Sequence, residues 1–270
     1  MSQDTYSLAD LDDALDAIGI RRGAGTLVLH SSLFEIGRLE GVPLREQPPV
    51  VIQALLDRIA PDGTLAMPAA NWDYGKTGVF DLRHTPPSKL LGVVPASFLG
   101  FPGICRSLNP IFSVAALGPQ AEFICDGGTA TAFGADSAWD RLFQLDAEML
   151  FLGCGLMFMT LARYIEHRFG VPYVYNKLFS APVTDDGRPF DPPVVTTLRF
   201  LHCSRDYALG RFEQRLRERG ILREAPLGGG VARALRMSDA YREGVAALKE
   251  DIHYFLDEPP AYAPSQPPIA

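Results

Sequence analysis

The side chains best suited to chemistry lie together on one segment near the middle of the chain. Residues 149–152 form an apolar run of strand length, and the Gly-Cys-Gly that follows allows a sharp turn and close approach of another molecule. A helix capped by Thr160 is predicted next. Its first two turns carry Arg163, Glu166 and His167, and a carboxylate there is well placed for proton transfer. An exposed Arg–Glu pair on an amphipathic helix is the alternative explanation.

Composition limits the classes of function. The 270-residue chain has a formal net charge of -7, which argues against a nucleic-acid-binding protein and suits a cationic or amine-bearing partner. Its four cysteines, Cys105, Cys125, Cys154 and Cys203, lack the spacing of a zinc site or a disulfide framework. The N-terminus lacks the pattern of a signal peptide, and no apolar run has the length of a membrane span. We therefore expect a cytoplasmic protein without a metal.

A second set of polar side chains follows the first predicted sheet strand. Residues 26–30 read as a strand that ends on His30, and Ser31, Ser32 and Leu33 come directly after it. Ligands of α/β proteins usually bind at the carboxyl ends of the strands, so these residues are candidates for a binding edge. A serine that caps a following helix explains the same pattern equally well.

Three further segments supply candidate binding residues. Residues 71–84 read as a long loop in which Trp72, Asp73 and Tyr74 either line a pocket or anchor the loop, and anchoring is preferred. Ser88 is the predicted cap of a helix that Pro95 ends or kinks. Residues 106–110 form a charged, hydroxylated turn.

The alternation of strands, loops and helices predicts one α/β domain over residues 1–258, followed by a Pro-rich tail at 259–270. Residues 184–193 read as a hairpin tip or a lid, and residues 194–202 as a strand. A charged helix is predicted at 204–219 and a last helix capped by Ser238. The three glycines at 228–230 indicate a tight turn rather than a phosphate cradle.

Seven segments in order resemble the aminoglycoside 3-N-acetyltransferase family, and together they span roughly residues 8 to 257. The segments are LVLHSSLFEIGRLEG from Leu27, GTLAMP from Gly63, TPPSKLLG from Thr85, RSLNPIFSVAALG from Arg106, FGADSAWDRL from Phe133, LFLGCG from Leu150 and TLARYIEHRFGVPY from Thr160. The resemblance implies an α/β fold with a mixed central sheet flanked by helices, and acetyl-CoA as acyl donor.

The resemblance also implies site residues. The cofactor candidates are His30, Ser31, Ser32, Leu33, Thr85, Ser88, Arg106 and Ser107. The candidates for substrate binding are Asp73, Tyr74, Asn109 and Asp136. Exposed amides at strand-to-helix turns can stabilise the oxyanion of a thioester, and a basic residue can pair with coenzyme A phosphates.

The chain departs from the family pattern at two positions. Arg163 stands where the family usually has a histidine that takes the proton from the attacking amine, and arginine cannot act as a base near neutral pH. Asn109 replaces the histidine of the RSxHP segment, whereas Glu166 is retained. Three explanations stay open. Glu166 or a histidine serves as the base, Arg163 binds an anionic part of the acceptor, or the protein has lost transfer activity.

We favour a CoA-dependent N-acyltransferase that acts on the amine of an amino sugar or a related small metabolite. A catalytically altered binding or regulatory protein is the alternative, and a resistance enzyme that modifies aminoglycosides is another. Acidic Asp73, Asp136 and Asp185 near the expected acceptor loops suit a cationic acceptor, whereas Arg163 disfavours one. Nucleic acid and membrane are excluded as partners, and a homodimer is left open.

Overall fold

The computed structural model describes residues 4–23, 25–126, 131–190, 194–200 and 207–260. Its strands are β1 (Thr5–Tyr6), β2 (Thr26–Ser31), β3 (Arg38–Leu39), β4 (Thr64–Pro68), β5 (Phe80–Asp81), β6 (Cys105–Arg106), β7 (Val114–Leu117), β8 (Glu148–Leu152), β9 (Val174–Phe179), β10 (Val183–Asp185), β11 (Arg188–Phe190), β12 (Val194–Arg199), β13 (Arg223–Leu227) and β14 (Gly230–Arg236). Its α-helices are α1 (Leu8–Ala17), α2 (Leu33–Ile36), α3 (Gln47–Ile59), α4 (Tyr74–Thr77), α5 (Val93–Phe98), α6 (Ala121–Cys125), α7 (Ala138–Gln144), α8 (Leu161–Phe169), α9 (Leu209–Glu218) and α10 (Met237–Glu250). Short 3-10 helices lie at Leu44–Glu46, Lys89–Leu91 and Leu156–Phe158.

A seven-stranded mixed sheet forms the centre of the fold, in the order β13-β14-β8-β2-β4-β7-β6. Strand β2 pairs in parallel with both β8 and β4, and the remaining neighbours pair antiparallel. Because β2 and β8 run in the same direction, their carboxyl ends meet at one edge of the sheet. The mixed α/β architecture predicted from the sequence is confirmed.

The central strands are buried on both faces, and their side chains alternate between two apolar cores. In β8, Met149 and Phe151 belong to one core, whereas Leu150 and Leu152 belong to the other. Helix α8 packs on the first face and α3 on the second. This arrangement fixes the start of α8 close to the end of β8.

A two-stranded antiparallel ribbon, β9–β12, flanks this core, and the ribbon's register pairs Thr197 with Asn176 and Arg199 with Val174. Paired residues of an antiparallel ribbon lie on the same face. A third, smaller apolar cluster that includes Tyr74, Phe80 and Val194 packs beside the ribbon.

Several turn predictions are confirmed. Asp186 and Gly187 form the two-residue tip of the β10–β11 hairpin with φ values of 50° and 74°, the left-handed geometry that Asp-Gly favours. Gly228 and Gly229 connect β13 to β14, so these glycines do form a tight turn. Apart from these turns, helix α1 begins with a capping box formed by Ser7 and Asp10.

Three capping predictions are wrong. Neither Thr160 nor Ser88 makes a side-chain cap, and α10 begins at Met237 instead of after Ser238. Pro95 was predicted to end or kink a helix, but it lies in the first turn of α5. Backbone N–H groups of the first turn have no acceptor within the helix, so proline is tolerated there. The charged helix begins at Leu209, and residues 204–206 lie outside the described part of the chain, as do Cys203 and residues 261–270 of the tail.

Candidate active site

The carboxyl ends of β2 and β8 are joined closely. The backbone N–H of Ser32 donates to the carbonyl of Leu152 at 2.8 Å. Gly153 has a φ of 70°, and a Cβ on it would lie 2.4 Å from the Ser32 carbonyl oxygen, so only glycine fits there. Ser31 is half-buried at the end of β2, and the Ser32 side chain makes no capping bond. The helix-cap explanation of these serines is therefore not supported.

A cavity of about 430 Å³ opens beside this turn. Leu33 and Phe34 of α2 form one wall, and Leu44, Pro48 and Val93 supply further apolar surface. Phe34 is 85% exposed, so this surface is accessible from outside. Of the predicted cofactor residues, Leu33 lines the cavity.

Helix α8 places Glu166 inside the protein, with no exposed surface. One carboxylate oxygen accepts a hydrogen bond from the Tyr173 hydroxyl at 2.9 Å, and the other accepts from the Tyr207 hydroxyl at 2.7 Å. Arg163 Nη1 lies 3.6 Å from the second oxygen. Burial raises the pKa of Glu166, and the Arg163 guanidinium opposes that shift. Glu166 is therefore enclosed by its own partners.

Tyr207 joins Glu166 to two cationic side chains. The guanidinium carbon of Arg163 lies 4.2 Å from the Tyr207 ring centre, and that of Arg199 lies 4.3 Å from it. Burial raises the pKa of the Tyr207 hydroxyl well above its ordinary value, so the hydroxyl remains protonated and donates to Glu166.

His167 faces the β9–β12 ribbon. Its Nδ1 lies 2.8 Å from the Thr197 hydroxyl, which in turn donates to Asn176 Oδ1 at 2.8 Å. Burial lowers the pKa of His167, and the charge of Arg168 lowers it further. The imidazole is therefore neutral at pH 7.

His30 is buried against Phe151, with ring centres 5.0 Å apart. Neither ring nitrogen has a hydrogen-bond partner among the described residues, and burial lowers the pKa to about 3. The imidazole stays neutral inside the core. This position gives no support to the predicted contact with the cofactor.

Arg106, the charged residue of the turn predicted at 106–110, is buried. Its guanidinium donates to Ser113 Oγ at 3.2 Å, to the carbonyls of Thr85 and Leu82, and to the carbonyl of Ala69. Burial lowers its pKa to about 10. Four of its five N–H groups are used inside the protein, so this position gives no support to the predicted coenzyme phosphate contact.

The other predicted residues of these turns also make internal contacts. Thr85 Oγ1 accepts from the Asp81 amide at 2.8 Å, and Ser88 Oγ accepts from the Trp72 amide at 2.8 Å. Ser107 Oγ accepts from the Val114 amide at 2.9 Å, and Asn109 bonds to Thr196 of β12. These contacts stabilise the loops at the sheet edge, with the three hydroxyl oxygens acting as acceptors.

The candidates for substrate binding do not form one group. Tyr74 is buried and its hydroxyl donates to the Ala181 carbonyl at 2.6 Å, so the preferred anchoring role is confirmed. Asp73 is exposed at the start of α4 without a side-chain cap. Asp136 is exposed in a left-handed conformation, with its amide bonded to Asp140.

Sequence reasoning missed four residues of this site, namely Tyr173, Asn176, Thr197 and Tyr207. Tyr173 was the easiest to find, since it lies seven residues beyond Glu166 in the same family segment. The other three reach α8 only through the ribbon and the segment before α9, whose pairing cannot be read from local spacing.

A mixed seven-stranded sheet with flanking helices and a cavity beside the β2–α2 turn defines an α/β protein of the class that binds ligands at strand ends. The chain belongs to the aminoglycoside 3-N-acetyltransferase family, whose model matches residues 28–249. The aminoglycoside N(3)-acetyltransferase IV of Salmonella sp is 32% identical, over 93% of this chain and 90% of that protein. The predicted family is confirmed.

Solved structures support the same family assignment. A histidine-to-alanine mutant of aminoglycoside acetyltransferase AAC(3)-IVa, in complex with a gentamicin, superposes with a TM-score of 0.75 and 30% identity, covering 96% of this chain and 94% of that one. The AAC-IIIb binary complex with CoASH has a TM-score of 0.76 and 22% identity, covering 95% and 100%. This second likeness concerns the fold. The described residues contain no helix long and apolar enough to cross a membrane and no group of three side chains suited to a metal.

Proposed function

We propose that this protein transfers an acetyl group from acetyl-CoA to the amine of an amino sugar or a related small metabolite. The observation that carries the proposal is membership of the acetyltransferase family over residues 28–249. A relative of the same fold binds CoASH and another binds a gentamicin, which supports a thioester donor and an amino-sugar acceptor. We also infer a cytoplasmic location from the acidic composition and the scattered cysteines.

The cavity beside the β2–α2 turn is the proposed donor cleft. Its apolar walls at Leu33, Phe34 and Val93 suit the pantetheine arm, and the turn at Ser31 and Ser32 lies next to it. The roles of these two serines in holding the thioester remain proposals. Arg106 is given a structural role instead, because its N–H groups are used inside the protein.

Arg163 and Glu166 together hold the start of α8 in place. Arg163 cannot accept a proton, and both oxygens of Glu166 already accept hydrogen bonds from tyrosines. An amine therefore cannot reach Glu166 without rearrangement. This pairing favours one alternative function, a family member that binds coenzyme A and no longer transfers the acetyl group.

The test measures binding and transfer separately. We expect acetyl-CoA to protect the wild-type protein from thermal unfolding, and we expect free thiol to appear when a panel of amino sugars is added. Binding without thiol release from pH 6 to pH 9 would favour the inactive alternative. Release with gentamicin alone would favour a resistance enzyme over a biosynthetic one.

A matched pair of variants tests the cleft. Leu33→Asp places a charge in the apolar wall and is expected to remove protection by acetyl-CoA while leaving the unfolding temperature of the free protein nearly unchanged, because Leu33 is only half-buried. Val79→Asp, at a side chain 66% exposed and outside the cavity, is the control and should retain protection. Equal protection in both variants would remove the cleft from the proposal.

A further inference from the structure

The hydrogen bonds around His167 determine which of its nitrogens carries the proton. Thr197 Oγ1 lies 2.8 Å from His167 Nδ1 and 2.8 Å from Asn176 Oδ1. A hydroxyl has one proton to donate, and the amide oxygen of Asn176 can only accept it. The hydroxyl therefore presents a lone pair to Nδ1, so Nδ1 must be the protonated nitrogen. In the neutral ring, Nε2 is then left with a free lone pair.

This chain of bonds is fixed by the ribbon. Thr197 and Asn176 are directly opposite each other in the register of β12 and β9, so both side chains lie on the face that meets α8. Thr197 is 8% exposed, and a buried β-branched side chain has few alternative rotamers. The orientation of the imidazole is thus set by the pairing of two strands.

Nε2 of His167 has no hydrogen-bond partner among the described residues, and the ring is half-buried. His167 lies four residues after Arg163, so the two side chains share one face of α8. The imidazole therefore lies on the helix face that also carries Arg163, the residue at the family's usual base position. Glu166, in contrast, is enclosed by two tyrosine hydroxyls.

Burial and a neighbouring cation keep the His167 ring neutral. Arg163 and Arg168 lie on its own helix, and Arg199 lies two residues beyond Thr197 on the same face of β12. Burial lowers the pKa of His167, and the charge of Arg168 lowers it further. A neutral imidazole with a free lone pair is the form that a general base requires.

We propose that Nε2 of His167 accepts the proton of the attacking amine, and that Thr197 and Asn176 are positioning residues that hold the Nδ1–H form. This inference rests on the proposed acetyl transfer. The nitrogen of the free amine forms a bond to the acetyl carbon, and one of its protons passes to Nε2. The carbon–sulfur bond breaks, and the imidazolium returns that proton to the departing sulfur, which yields the amide and coenzyme A thiol.

The first experiment measures transfer. His167→Gln is expected to lower kcat by about 10²- to 10⁴-fold, the range of general base catalysis, with the KM for acetyl-CoA changed less than about threefold. Thr197→Val should lower kcat less, and Thr197→Ser, which keeps the hydroxyl, should restore it. The matched control is His84→Gln, since His84 is an exposed histidine bonded to Asp186, and it should behave as wild type.

The second experiment reads the tautomer without any reaction. Nitrogen-15 spectra of the wild-type protein at pH 8 are expected to show His167 protonated on Nδ1, and Thr197→Val should populate the other tautomer. The kcat–pH profile of the wild type should fall as pH decreases through the pKa of His167, which lies below its ordinary value of 6.5. That acidic limb should be absent in His167→Gln.

The outcomes separate this inference from the proposed function. A wild-type protein that transfers acetyl groups while His167→Gln keeps its kcat overturns the inference alone. A wild-type spectrum with the proton on Nε2 overturns the positioning roles of Thr197 and Asn176. A wild-type protein that binds acetyl-CoA and releases no thiol with any amine overturns the proposed function and the base role together.

Discussion

Replacement of Arg163 by methionine tests whether the buried ion pair stabilises the start of α8. Arg163 Nη1 lies 3.6 Å from Glu166, whose side chain is 0% exposed while that of Arg163 is 26% exposed. At that distance two unit charges attract by about 4–5 kcal/mol with an effective dielectric constant of about 20. Removing one partner of a buried pair costs about 3–5 kcal/mol. Because Arg163 is partly hydrated, we expect a loss of about 2–4 kcal/mol.

A thermal unfolding assay should show this loss as a midpoint lowered by roughly 5–12 °C for a chain of this size. Arg168→Met is the matched control on the same helix. The Arg168 side chain is 43% exposed and lies 3.7 Å from Asp140, which keeps hydrogen bonds from Tyr164 and Gln144 when Arg168 is removed. Its removal should therefore cost about 1 kcal/mol or less. The double variant Arg163→Met, Glu166→Gln should recover much of the loss, because no charge is then left buried alone.

The stability lost in Arg163→Met should depend on pH in one direction. Burial already raises the pKa of Glu166 above the ordinary 4.5, and loss of the arginine raises it further. A carboxyl with a raised pKa in the folded state holds a proton that the unfolded state releases, so stability falls as pH rises through that interval. The deficit of Arg163→Met should therefore be largest at pH 8 and shrink towards pH 4. A deficit that is equal at both pH values, or larger at low pH, would refute this reasoning.

Two further predictions concern the frame of the site. Arg106→Met leaves buried carbonyls without donors and should lower the free energy of unfolding in urea by about 3 kcal/mol or more. The folded variant should keep its affinity for acetyl-CoA. A loss of affinity at unchanged stability would contradict the structural role. Gly228→Ala places a Cβ 2.0 Å from the Ile36 carbonyl oxygen and should cost clearly more than Gly187→Ala, where nothing lies within 4 Å and only the left-handed backbone costs about 1–2 kcal/mol. Equal midpoints for the two glycine variants would exclude the clash.

The sequence predicted the parts of the fold that depend on local pattern. Apolar runs such as residues 149–152 became central strands, and Asp-Gly at 186–187 became a hairpin tip. Ser88 was predicted as a cap because serine is favoured there, yet its hydroxyl bonds to the Trp72 amide. A local pattern does not say which distant amide competes for a side chain.

The site was harder to predict because its contacts are long-range. Tyr207 is 41 residues from Glu166, and Thr197 is 30 residues from His167. Arg106 was predicted to contact the cofactor, whereas two loops supply three carbonyls that accept from its guanidinium. Thr197 and Asn176 orient His167, and these two residues come together only because β9 pairs with β12.

The most direct test of the central claim is mass spectrometry of an amino-sugar panel incubated with acetyl-CoA and the purified protein between pH 6 and pH 9. The account predicts an acetylated amine together with an equal amount of coenzyme A thiol, produced by the wild-type protein with Arg163 in place. It predicts a faster reaction for Arg163→His, because that change adds an imidazole next to Glu166. Unchanged acetyl-CoA and unmodified amines across the panel, with coenzyme binding intact, would contradict it.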